Sequence, residues 1–168
     1  DKSVKINNFA LGESIGEKNF NISALTGASS FNTINKNSRW IEVRSKEQNT
    51  TISEFSKLAK VKINTLDEYF LKDKIQYIDL LKIDTQGYED KVLEGSVKTL
   101  GENKIKAIVT EVMFDNCYDK YFSFSDIEKF LLPNNFRMVG IYLYSNSLFN
   151  NLTFFADVCY LNKNYYDL

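Results

Sequence analysis

IDLLKIDTQGYEDKVLEGS, residues 78–96, decides the reading of the fold. Apolar residues at 77, 78, 80, 81 and 83 fill both faces of a short run, the pattern of a buried strand in a parallel sheet. The run ends at Asp84, Gly87 supplies a turn, and Val92, Leu93, Val97 and Leu100 then recur at helical spacing up to a stop at Gly101. The next apolar run, IKAIVTEVMF, reads as another buried strand. Strand, helix and strand make a βαβ unit with a right-handed crossover. Ligands in such sheets bind outside the carboxyl ends of the strands. Asp84 and Glu111 stand at two such ends, where together they would serve as a general base or hold a hard cation through oxygen. The competing account makes Asp84 a helix cap, Glu89 a complement to the helix dipole, and Glu111 a carboxylate satisfied by backbone amides.

Outward from this unit, residues 4–10 read as a strand and SIGEKNFNIS as a turn and a second strand, with a hairpin turn between Gly12 and Gly16. Residues 25–60 read as loop with short irregular strands, up to KVKIN. Thr65 and Glu68 have capping-box spacing at the start of a short helix, and SFSDIEKFLLPNNF is a second capped helix ending before Pro133. Two closing strands, FRMVGIYLYS and FFADVCYLNK, form a hairpin through NSLFNN. The fold class is α/β, with a parallel centre and an antiparallel tail, in a single domain over residues 1–168. Tyr118, Tyr121 and Phe122 cluster near the strand ends, within reach of a substrate.

Composition narrows the chemistry. The chain has no histidine, which removes Ser-His-Asp triads, Cys-His pairs and histidine-ligated metals. Lys and Arg number 21 against 22 Asp and Glu, and no basic stretch would track a phosphate backbone, so nucleic acid is not an expected partner. Cys117 and Cys159 form no CxxC pair, which fits a reducing, cytoplasmic setting. No apolar run reaches the roughly 20 residues of a membrane span.

The segment IDLLKIDTQGYEDKVLEGSVKTL closely resembles the hallmark of the FkbM-type methyltransferases, a strand followed by K-I-D-x-x-G-Y-E and a helix. FALGESIGEKNF is similar to that family's A-L-G-D/E segment, VKINTLDEYF to its T-L-D motif, AIVTEVMF to its strand ending in Glu, and FFADVCYLNK to its closing strand. The resemblance implies a Rossmann-like class I methyltransferase fold that uses S-adenosylmethionine to methylate hydroxyls of sugars or related small molecules. It places Ala10, Leu11 and Gly12 by the cofactor's adenine, and Asp84 beside the methyl-transfer site as base or ligand, with Glu111 as the second candidate. A divalent metal is left open. The family's first strand, glycine-rich loop and ribose-binding acid are expected to precede residue 1, so the chain reads as N-terminally truncated, with its first strand parted from the Ile78 strand in the sheet order. A free strand edge would favour a homo-oligomer. Two other readings remain: a non-catalytic α/β binding domain, and a carboxylate-metal hydrolase, which leaves the A-L-G and T-L-D segments without a role.

Overall fold

The computed structural model describes residues 4–23, 27–49, 51, 57–120, 122–143 and 154–166. In chain order these form β1 (Ala10–Leu11), β2 (Gly16–Ile22), α1 (Arg39–Gln48), β3 (Lys57–Asn64), α2 (Leu66–Asp73), β4 (Ile78–Ile83) and α3 (Glu89–Glu94). There follow α4 (Val97–Gly101), β5 (Ile105–Met113), α5 (Phe124–Leu131), a 3₁₀ turn (Leu132–Asn134), β6 (Phe136–Leu143) and β7 (Phe155–Asn162). The architecture is mixed α/β with two sheets, ordered β1-β3-β2 and β4-β5-β7-β6.

Several expectations from sequence change here. Only Ala10 and Leu11 of the first apolar stretch are laddered, and β1 and β2 make no hairpin: β1 runs parallel to β3, and β2 antiparallel to it. Residues 39–48 are helical, capped by Ser38, whose hydroxyl oxygen accepts from the Ile41 amide. Trp40 and Ile41 anchor α1 into a second core with Met113, Cys117, Tyr118 and Phe154. Two adjacent apolar anchors in a polar helix leave little periodic signal, which is why the sequence reads as loop.

β4 pairs parallel with β5, as expected, but it is an edge strand among the described residues. Ile83 is buried in the main core, whereas Leu80 is 57% exposed on the uncovered face. An apolar run marks a strand able to be covered on both sides, and here one side is covered. β5, β7 and β6 complete the antiparallel tail. The expected NSLFNN turn lies outside the described residues.

The helix after β4 is two helices. Gly95 breaks it, and the cause is a close approach: a Cβ at Gly95 would lie 2.0 Å from the Gly12 carbonyl oxygen. The break turns Val97 outward, 54% exposed, off the face it would share with Val92 and Leu93. It also frees the first amides of α4, and Asp67 captures them. Its carboxylate accepts from the Lys98 amide (3.0 Å), the Thr99 amide (2.8 Å) and the Thr99 hydroxyl (2.6 Å). The Asp67 amide in turn donates to the Gly95 carbonyl (3.0 Å). The T-L-D motif therefore clips α2 to the α3–α4 break, while Thr65 caps α2 by accepting from the Glu68 amide (3.1 Å). Ser123 and Asp126 form a full capping box on α5.

Candidate functional site

At the carboxyl ends of β4 and β5 the chain makes a tight turn through Asp84, Thr85, Gln86 and Gly87 into α3. Gly87 has φ +87°, as its role in the turn requires, and a Cβ there would meet the Tyr118 ring at 3.2 Å. Gln86 also lies in the left-handed region, at φ +58°, which a side chain with a Cβ rarely adopts.

Glu89, in the first turn of α3 as the dipole reading expects, is 2% exposed. Its Oε1 accepts from the Thr85 amide (2.8 Å), the Thr85 hydroxyl (3.0 Å) and the Gly87 amide (3.3 Å), so it staples the turn from inside. Burial pushes its carboxyl above the ordinary range against those donors.

The structure brings Asp84 and Glu111 together through one side chain. Gln86 Nε2 donates to Asp84 Oδ1 (2.9 Å) and to Glu111 Oε2 (2.9 Å). The Tyr118 hydroxyl donates to Gln86 Oε1 (3.1 Å), and the Ser30 hydroxyl to the Gln86 carbonyl (2.7 Å). Glu111 is 8% exposed, and its carboxyl has Gln86 as its one hydrogen-bond partner among the described residues. Burial first, then the negative charges of Asp84 and Glu89, push its pKa up to about 8, with Lys82 as the opposing cation. Asp84 is solvent-exposed, with Lys82 Nζ 3.7 Å away. Lys82 also bonds Asp157 on β7 (2.5 Å), the residue paired across the ladder with Glu111. A carboxyl with this proton affinity changes charge near neutral pH and can take or give a proton there.

Ala10, Leu11 and Gly12 lie apart from these acids. Leu11 packs on the main core, the Gly12 amide donates to the Asn64 carbonyl (2.9 Å), and a Cβ at Gly12 would sit 2.8 Å from the Ile63 side chain. The next residue, Glu13, reaches a cavity of about 380 Å³ that also has Phe31, Asn32, Tyr88, Lys120 and Phe122 on its wall. There the Tyr88 hydroxyl donates to Glu13 (2.7 Å), and Lys18 donates to both Glu13 and the Tyr88 oxygen. Burial opposes ionisation of Glu13, but the Lys18 and Tyr88 hydrogen bonds prevail and hold it down at about 2. Neither Asp84 nor Glu111 lines this cavity.

Of the three aromatics expected near the strand ends, Tyr118 is buried against Gln86 and Phe122 lines the cavity, while Tyr121 lies outside the described residues. Sequence reading missed Gln86, the Glu13–Lys18–Tyr88 trio, and Lys82 with Asp157. The signal for Lys82 is its place two residues before Asp84, on the same face of the strand. No group of three or more Cys, Asp or Glu among the described residues is arranged to hold a metal ion. No described helix is long and apolar enough to cross a membrane.

The family model of the methyltransferase FkbM domain matches residues 2–138, and the chain belongs to that family. The matched span ends inside β6, before the closing strand β7. No curated protein and no solved structure matches the chain.

Proposed function

We propose that this chain is an S-adenosylmethionine-dependent methyltransferase domain of Rossmann-like class I type, acting on a hydroxyl of a carbohydrate or related small molecule in the cytoplasm. Membership of the FkbM family supports methyl transfer. The observation that carries the site is the buried Glu111 carboxyl, with its pKa near 8, joined to exposed Asp84 at the ends of two adjacent parallel strands.

S-adenosylmethionine supplies a methyl group on a sulfonium. The groups around the Glu13 cavity suit its amino and ring portions: a carboxylate, the Asn19 and Asn32 amides, and the Phe31 and Tyr88 rings. Of the Ala10–Leu11–Gly12 segment, Gly12 approaches this wall: a Cβ there would lie 3.4 Å from the Tyr88 ring. Glu111, with Asp84, takes the acceptor hydroxyl's proton, a role a hydroxyl needs because its own acidity is far below neutral. The order of polarity helps: the buried acid holds the proton and the exposed one faces solvent, where it can be lost.

The test, in a full-length protein that carries this domain, is release of S-adenosylhomocysteine in the presence of hydroxylated acceptors. Asp84→Asn and Glu111→Gln should each lower turnover at least tenfold while donor affinity changes far less. Undiminished turnover in both would remove the two acids from the chemistry. A second reading, a binding domain without turnover, draws on the separation of the Glu13 cavity from the two acids. It predicts a bound small molecule and no product.

A further inference from the structure

We propose that Gln86 is a positioning residue for the Asp84–Glu111 pair, holding both carboxylates on one carboxamide and so fixing where the proton-accepting oxygens point. This rests on the reading of those acids as the proton acceptors.

A glutamine amide can sit in either of two flipped orientations, and the two carboxylates select one. Both are acceptors, which require the amino group on their side and leave the amide oxygen facing the Tyr118 hydroxyl, whose one hydrogen lies between Gln86 Oε1 (3.1 Å) and the Ala28 carbonyl (3.2 Å). Each hydrogen of Nε2 is then used once. The main chain is fixed as firmly: the left-handed φ of +58° is costly for a non-glycine residue, and Ser30 holds the carbonyl at 2.7 Å. A residue that merely filled space would need neither the strained backbone nor two donors matched to two carboxylates. Strain retained at a site is a mark of a constraint imposed by its surroundings.

The charged groups facing Glu111 are Lys82 and Asp84 from the β4 end, Glu89 from α3 and Asp157 from β7, and the Cys117 thiol and Tyr118 hydroxyl from the segment after β5 are titratable groups that burial keeps neutral. Gln86 is the only group among the described residues that donates a hydrogen bond to its carboxyl. An N–H donor favours the ionised carboxylate. Removing it must raise the proton affinity of Glu111 and leave its carboxyl free to rotate.

The experiment follows the carboxyl ¹³C shift of Glu111 from pH 5 to 10 in the whole chain, with Glu111→Gln providing the assignment. In Gln86→Met, which keeps length without donors, the Glu111 midpoint should rise by about one pH unit. Tyr118→Phe, which removes the hydroxyl that orients the amide, should raise it by less. An unmoved midpoint in a folded Gln86→Met protein overturns the proposal. Should that variant fail to fold, Tyr118→Phe decides: a raised midpoint supports the clamp and an unmoved one rejects it. Methyl transfer does not enter this readout, so loss of the activity reading and loss of the clamp are separate outcomes.

Discussion

Asp67 and Asp84 each close a short apolar motif, T-L-D in one case and K-I-D in the other, yet their surroundings are opposite. Asp67 meets three donors from the first turn of α4 and returns a donor to Gly95. Asp84 accepts one hydrogen bond, from the Gln86 amide that it shares with a neighbouring acid, and has the Lys82 ammonium 3.7 Å away. The difference lies in the backbone nearby. Where a helix starts within reach, its free amides saturate a carboxylate and make it a fastener. Where the turn spends its amides on another acid, Glu89, the carboxylates at the strand ends are left short of donors and keep chemical freedom.

The comparison breaks most visibly at Gly87. Valine there meets a positive φ and the Tyr118 ring, at a cost of about 3 kcal/mol, so the urea midpoint should fall sharply. A midpoint within error of the parent would mean that the turn has an alternative path. Next comes Asp67→Ala, which strands two helix amides and should cost about 2 kcal/mol while leaving the Glu111 titration in place. A small loss of stability would show that water caps α4 as well as Asp67 does.

Glu111→Gln sharpens the contrast through pH. The folded pKa of about 8 exceeds the ordinary value of 4.5, so the native state holds the proton more tightly than the unfolded chain. The contribution of Glu111 to native stability therefore falls as pH rises from about 4.5 to about 8, by at most about 1.4 kcal/mol for each pH unit crossed. The variant lacks this penalty. Its melting temperature relative to the parent should climb through that window and level off above it, and a flat difference would contradict the raised proton affinity. Smallest of all is the stability effect of Asp84→Asn, expected within about 0.5 kcal/mol because the residue is exposed. A larger change would make Asp84 a fastener like Asp67.

Much of this is readable in the sequence because it is local. The strand ends of β4 and β5, the Thr65 and Ser123 caps and the positive φ of Gly87 each follow from a few adjacent residues. What escapes depends on contacts distant in sequence. The break at Gly95 exists because Gly12 presses on it, α1 is held by two side chains against a distant core, and β4 is an edge because of how the sheets divide. At the site, Asp84 and Glu111 can be found from strand-end position. Gln86 cannot, since a glutamine in a turn has no distinctive pattern until Tyr118 and both acids close around it. The burial of Glu89 is equally hidden, because a helix N-terminus alone does not say whether its acid faces solvent or the turn behind it.

The contact between Gly12 and Gly95 also bears on the order in which the chain folds. β1 is two residues long and, among the described residues, ladders only with β3, so its own pairing supplies little to hold it. The carbonyl that follows it, at Gly12, seats against a break in a helix far along the chain, and such a contact forms only after the entropy of closing a long loop has been met. The β1 segment is therefore expected to dock late, after the α3–α4 corner exists, and folding and unfolding rates of Gly95→Ala check it. A methyl group added at Gly95 would leave the rate of folding nearly as it is and act by hastening unfolding.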